Sequence, residues 1–555
     1  MLKYKYMGIE KIIETLKETQ AEPKAELLAK TFDFFQKHTA AIGFFDKKNL
    51  QSAALDAGLD QAKENALPEF VAANMLFGLA RHDGAIIKDI REALGSDVAD
   101  IVQSHEFTRQ QFEETQKPLY DHSCRTAARL ATVKISVPAI CAALLHEIPA
   151  HTAVSMEELK KKFSPEISGL TENFQKIRNI RTANSEQFVY HLREMVLAMV
   201  DDLRVIIIKM CSNLDRIKHG TELAIDAEKM KNIARESREL LAPVADLLGI
   251  WQLRWQLEDA AFEILEPEEF KKIAYQFNVD ERKNRDKYIQ KTKNIAAKAL
   301  AEANIACQIE GRFKHFYSIH RKMLDKKKGF DDIGDIFALR IIVNEVDHCY
   351  RALGIIHRLW RPKFRRIKDY IAAPKSNNYR SLHTTVFGVN GRATEFQIRT
   401  REMDETANFG VAAHWYYKNA RKKVPPWIQE LLVKQQEYKN DAEFLTKFKS
   451  DILNDRIYVY TPKGDVVSLP AGATPIDFAY HIHSEIGHKC AGAKVNDLPV
   501  AVNTPLATND IIEIIVDRTQ PGPKREWLTF VKTEGAKKHI ENHFNRLPVE
   551  RSFRL

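Results

Sequence analysis

Within GRFKHFYSIHRKM (311–323), Lys314, Ser318 and Lys322 stand four residues apart, so a helix would stack them on one face with Arg312 just ahead of it. Two ammonium groups and a hydroxyl in line can hold several phosphate oxygens at once, and a guanidinium can lie flat on a purine base. The competing reading is a solvated basic face. Asp335 enters the apolar run IFALRIIV (336–343), and Glu395 stands in ATEFQIRT (393–400). Period two puts Glu395, Gln397 and Arg399 on one face of that strand and turns Phe396 and Ile398 to the core. Two carboxylates converging from neighbouring strands suit a magnesium ion bound to phosphates, and one can accept the proton of an attacking hydroxyl. An ordinary exposed strand edge is the alternative. Between these runs RIKDYIAAPKSNNYRSLHTTV (366–386), with Lys375, Asn377, Asn378, Tyr379 and His383. A Pro-Lys-Ser-Asn-Asn loop cannot continue a helix, so it either displays Tyr379 as a stacking platform or serves only as a turn.

The elements that must position these residues fall into several domains, because 555 residues are too many for one core. Residues 1–225 read as helical, with apolar positions recurring at three- and four-residue spacing, and connecting helices are expected over 226–305. Over 306–420 short strands alternate with helices, an α+β pattern. A polar helical linker is expected over 421–455, a small β-rich module over 456–517, opened by two strands around Pro-Lys-Gly-Asp, and the start of a helical segment over 518–555. Six cysteines stand singly, without zinc-finger spacing, and free, mostly buried thiols are expected. A net charge of +9 is compatible with nucleotide or RNA ligands. No apolar run is long enough to span a bilayer and the first residues lack a signal-peptide core, so a cytoplasmic protein with no membrane partner is expected.

From Gly311 through VAAHWYYK (411–418) the residues resemble the synthetase domain of the RelA/SpoT family. The resemblance implies a nucleotidyltransferase-like mixed sheet that uses ATP, magnesium and GDP or GTP. By the same resemblance Arg312 and Arg340 sandwich adenine, and Lys314, Ser318 and Lys322 hold the ATP phosphates. Asp335 and Glu395 serve magnesium, with Glu395 activating the ribose 3′-hydroxyl. Tyr379 stacks on guanine, and Lys375, Asn377, His383 and Gln397 complete the acceptor site. RIKD (366–369) resembles the form that goes with a preference for GDP. Asn378, Arg380 and Asp404 depart from the family pattern and are expected to touch no residue assigned to chemistry.

The helical front resembles the family's HD hydrolase domain, which removes the 3′-pyrophosphate with manganese. His122 in LYDHSCRTA and His146 in ALLHEIPAHT match two metal ligands, but the next ligand is Glu147 in place of aspartate. Ala150 and His151 stand where the family has its acid/base pair. Ser212 stands where the last aspartate is expected, and Arg216 replaces an asparagine. Losing a carboxylate ligand and the acid/base pair together should abolish metal-assisted hydrolysis. A degenerate site is therefore expected, with manganese not retained, His122 and His146 serving packing, and the domain kept as a regulatory lid. Residues 459–497 resemble a TGS domain, a β-grasp module, and the likeness puts His483 where such a module approaches a deacylated tRNA on a ribosome. The further regulatory modules of the family are not found after it. The fold class expected is thus multidomain, α and α+β: an HD-like helical domain, a mixed-sheet synthetase domain and a β-grasp TGS domain.

Overall fold

A computed structural model describes residues 25–38, 66–82, 85–178, 201–278, 281–312, 315–326, 337–410 and 456–546, apart from a few positions inside the last two ranges, and scattered positions elsewhere. The expected linker at 421–455 and most of the helical stretch 185–203 lie outside the described residues, as do Lys314, Asp335, Lys375 and Asn377. Of Arg312 only the backbone is described.

The helices used below are α1 (Ser96–Phe112), α2 (Lys117–Thr132), α3 (Val137–Leu145), α4 (Pro165–Ile177), α5 (Arg204–Lys218) and α6 (Trp251–Leu265). α5 is buried almost all round, from Val205 to Asp215, and carries Lys209, Ser212, Asn213 and Asp215 into the interior. It forms the centre against which α2, α4 and α6 pack. One hydrophobic core runs from Leu28 to Ala261, so the helices after residue 225 share the core of the helical front.

After α7 (Glu281–Glu302) come β1 (Cys307–Arg312), α8 (Phe316–Lys326), β2 (Phe337–Val343), α9 (Val346–Leu359), β3 (Lys368–Asp369), β4 (Leu382–Phe387), β5 (Ala393–Thr400) and α10 (Arg401–Phe409). The strands form one mixed sheet in the order β1-β2-β5-β4-β3, with β2 and β5 parallel and the other pairs antiparallel. Register sets Glu395 beside Ala338 on one side and Thr385 on the other, and Gln397 beside Arg340 and His383. Phe396 and Ile398 lie in the core, as period two requires, but Gln397 and Arg399 are buried as well, each 2% exposed. β5 is therefore central and covered on both faces towards its C-terminal end.

The third unit pairs β6 (Arg456–Tyr460) with β7 (Val466–Pro470) and builds a second sheet, β10-β8-β9, from β8 (Cys490–Val495), β9 (Leu498–Val500) and β10 (Ile512–Val516). A parallel bridge, Tyr460 to Ile511, joins the two. α11 (Pro475–Ile482) and α12 (Ser484–His488) cover them, and α13 (Glu534–Arg546) follows. Asp477 closes the capping box of α11 with Thr474, and its other oxygen accepts the backbone N–H of Lys532 and of Thr533. One carboxylate thereby ties the C-terminal segment to the module, and Trp527, Val531 and Ile540 pack on Ile476 and Tyr480. Among the described residues no helix is long and apolar enough to cross a membrane.

Candidate functional site

On the sheet, β4 and β5 place four of the expected residues in contact. Tyr379 Oη lies 2.8 Å from His383 Nε2, His383 Nδ1 lies 3.1 Å from Glu395 Oε1, and Gln397 Nε2 donates to the same oxygen at 3.4 Å. With the proton on Nδ1, the imidazole accepts from the phenol at Nε2 and sets Nδ1 in close charge contact with the Glu395 carboxylate, a tyrosine–histidine–carboxylate row. The Glu395 side chain is 23% exposed, open to a substrate yet flanked by a buried strand. Gln397 Oε1 is buried without a hydrogen-bond partner among the described residues. A buried orphan acceptor is costly, so it marks a place where a ligand N–H or O–H would be welcome.

The basic helix is α8. Phe316, Ile319 and Met323 form its apolar face and pack on Phe262, Phe270 and Ile273, which leaves Ser318 and Lys322 together one turn apart. Its N-terminus is held from outside the synthetase sheet: Asp259 on α6 accepts the N–H of Tyr317 at 2.9 Å and of Phe316 at 3.4 Å. His315 stacks on Trp255 with ring centres 4.1 Å apart. Burial pushes the Asp259 carboxyl up to about 6, even though both N–H groups favour its ionised form. Sequence reading missed Asp259, because a cap supplied 57 residues upstream leaves no local signature.

One expectation needs correction. Asp404 does touch an assigned residue: its Oδ1 lies 3.2 Å from Arg340 and 2.7 Å from Arg399. These are ion pairs rather than aligned hydrogen bonds, since the same oxygen finds no aligned donor among the described residues. The reason is register. Arg340 on β2 and Arg399 on β5 project to one side, and a carboxylate one turn into α10 offsets two adjacent guanidinium charges. Arg340, expected against adenine, also lies 3.8 Å from Glu310.

In the helical front, α2, α3 and α5 bring His122, His146, Glu147 and Ser212 together, all buried. His146 Nε2 lies 3.1 Å and His122 Nε2 3.7 Å from Glu147 Oε1, and the two ring nitrogens are 3.3 Å apart. Donor atoms of the three could converge on one cation. Ser212 Oγ, 3.2 Å from His122 Nε2, occupies the fourth side. The same Oε1, however, takes a hydrogen bond from Arg216, while Arg178 donates to Oε2 at 2.7 Å and His151 Nε2 lies 3.1 Å from it. Burial alone would raise the Glu147 carboxyl, but Arg216 and the two imidazoles hold it well below the usual carboxylate range. Asp215, one helical turn beyond Ser212, contacts His122 Nδ1 at 2.7 Å and accepts from Arg125 Nε at 2.8 Å. Burial acts against its charge, and these two partners bring it down to about 2. Sequence reading did not single out Asp215 or Arg178, whose roles depend on how α4 and α5 cross. In the third unit His483 is exposed and its Nδ1 accepts the N–H of Glu485, so it caps α12.

A mixed-sheet domain that carries a basic helix and a carboxylate strand, set between an HD-like helical domain and a β-grasp module, defines the class of protein. Family models agree: the region found in RelA/SpoT proteins matches residues 311–422, an HD domain 103–251 and a TGS domain 457–516. A guanosine-3′,5′-bis(diphosphate) 3′-pyrophosphohydrolase of Aquifex aeolicus is 40% identical over 461 residues, 81% of this chain and 65% of that protein. A GTP pyrophosphokinase of Myxococcus xanthus is 38% identical over 459 residues, 80% of this chain and 60% of that one. The bifunctional (p)ppGpp synthase/hydrolase SpoT of Escherichia coli is 40% identical over 453 residues, 79% and 63% of the two chains. The chain belongs to the RelA/SpoT family, and it spans less than two thirds of the length of these relatives.

Proposed function

We propose that the chain is an ATP:GDP/GTP 3′-pyrophosphotransferase that makes (p)ppGpp in the stringent response, in the cytoplasm, and that its HD domain does not hydrolyse the product. The observation that carries the synthetic half is the Tyr379–His383–Glu395 row of contacts beside Gln397 Oε1, which is buried with no partner among the described residues. In this reading the acceptor nucleotide lies over β4 and β5. Tyr379 stacks on guanine, Lys375, Asn377 and His383 line the pocket, and Gln397 Oε1 accepts a hydrogen bond from the nucleotide. Glu395 takes the proton of the 3′-hydroxyl as its oxygen attacks the β-phosphorus of ATP, and AMP leaves. Ser318 and Lys322 on α8, with Lys314, hold the phosphates, and Arg312 and Arg340 flank adenine. Glu395 and Asp335 would hold magnesium, which supplies charge neutralisation on the transferring phosphates. Positioning and electrostatic stabilisation then account for most of the catalysis. The TGS module, through His483, is the proposed contact to tRNA and the ribosome.

Loss of hydrolysis rests on Arg216 and Arg178, which saturate both oxygens of Glu147 with fixed positive charge. A manganese ion would have to share that carboxylate with two guanidinium groups, and Ser212 adds only a neutral oxygen. The residues fit the ion poorly. A second reading, a bifunctional enzyme, is favoured by the convergence of His122, His146 and Glu147, and by the hydrolases among the relatives. The synthetic half is tested by incubating the protein with labelled ATP, magnesium and GDP or GTP. Labelled tetra- or pentaphosphate is expected from the unaltered chain and at least about a hundredfold less from Glu395→Gln. Equal product from both would overturn the role of Glu395, and no product from either, with or without ribosomes, would overturn the function.

A further inference from the structure

We propose that His488, His539 and His543 form a binding site for a divalent transition-metal ion of the zinc class, which fastens the last helix to the TGS module. His539 and His543 stand four residues apart on α13, which puts both imidazoles on one helix face, the spacing with which helices chelate zinc. His488, at the end of α12, faces both. Its ring centre lies 5.3 Å from that of His543 and 6.4 Å from that of His539. Three imidazoles on one tetrahedral ion, with bonds of about 2.0–2.1 Å, hold their ring centres roughly 5–5.5 Å apart. His488 and His543 are thus already at ligand spacing, and His539 stands about 1 Å too far out. In the rotamers present the three donor atoms do not all come within 4.8 Å of one another. His539 is exposed, and ligation requires its side chain to rotate towards the other two.

The surroundings suit ligation. Tyr480 Oη lies 3.1 Å from His488 Nδ1, which leaves Nε2 for an ion and gives the ligand the outer partner that metal-binding histidines usually have. Tyr480 also stacks on His539 with ring planes 5° apart, a contact that this rotation gives up. Gly522 makes room for the third ring: a Cβ there would lie 2.4 Å from His543 Nε2. A donor set made only of imidazoles favours zinc, nickel or copper over magnesium or manganese. The site therefore differs in metal preference from the synthetase centre and shares no residue with the cluster of the helical front.

The test uses the full chain, free of any histidine tag and stripped with a chelator. Zinc is measured by equilibrium dialysis, and cobalt by the visible absorption of a tetrahedral complex. The expected result is a zinc-binding event whose affinity falls at least tenfold in His539→Ala and in His543→Ala and is unchanged in His146→Gln, which separates it from the front cluster. His539 is exposed, so its substitution does not disturb the core, and circular dichroism checks the fold. No zinc retained by the unaltered chain, or equal affinity in His539→Ala and His543→Ala, would overturn the proposal.

Discussion

At the scale of single residues, buried charges decide most of what can be tested. Arg399 and Asp404, 2% and 7% exposed, form a pair that Arg340 joins. Removing the acid leaves Arg399 charged and without its carboxylate, so Asp404→Ala is expected to lower stability by about 3–5 kcal/mol in denaturant titration, as for other buried pairs. Asp215 offers a pH signature. Its folded pKa of about 2 lies below its ordinary value, so its contribution is fully present above pH 4 and is lost as pH falls through 2. The stability difference between the unaltered chain and Asp215→Asn should accordingly be large at pH 6 and close as pH approaches 2. A difference that stays constant would remove the ion pair from the account. Glu395, Gln397 and His383 were legible in the sequence because strand periodicity and a loop boundary place them. The pairing of Asp404 with Arg340 was not, since it depends on the register of β2 against β5 and on where α10 begins.

At the scale of elements, α8 connects chemistry to architecture. Its apolar spacing marks a helix, and its basic face is visible in one line of sequence. The group that fixes its N-terminus, Asp259, belongs to α6. Asp259→Ala would leave two N–H groups without an acceptor and should cost about 1 kcal/mol, with a raised KM for ATP if the helix holds the phosphates. Asp259→Asn keeps an acceptor and removes a buried charge. The folded pKa of Asp259, about 6, lies above its ordinary value, so stability from its protonation is fully present at low pH and is lost as pH rises through 6. The asparagine variant should therefore gain on the unaltered chain between pH 4 and 8, and a thermal melt at each end of that range checks it. α13 shows a different limit of sequence reading. The sequence carries the His539–His543 spacing openly, but its third member, His488, becomes a neighbour only when Asp477 docks the C-terminal segment on the TGS module.

At the scale of the whole molecule, the synthetase sheet and the helical front meet through α10. Gly410 follows that helix with a positive φ of 53°, and a Cβ there would lie 2.0 Å from the carbonyl oxygen of Leu248. Gly410→Ala should therefore strain this contact by about 2 kcal/mol or more and lower the melting temperature, because backbone cannot move aside cheaply. If the front restrains synthesis, the same variant will also raise the basal rate. A front domain ending near 225 is less useful for such tests, because the core continues to Ala261 and a cut there would open it. The kinds of domain and their order were legible from hydrophobic period and motif. How the front packs was not, because α5 is buried on all sides, polar residues included, and its sequence does not say which neighbour each face meets. The measurement that tests the central claim most directly follows labelled (p)ppGpp over time with manganese added, using the preparation that made it. The account predicts that product accumulates and does not decay, because Arg216 and Arg178 hold the carboxylate a metal would need. Decay that disappears in His146→Gln would contradict it and establish a bifunctional enzyme.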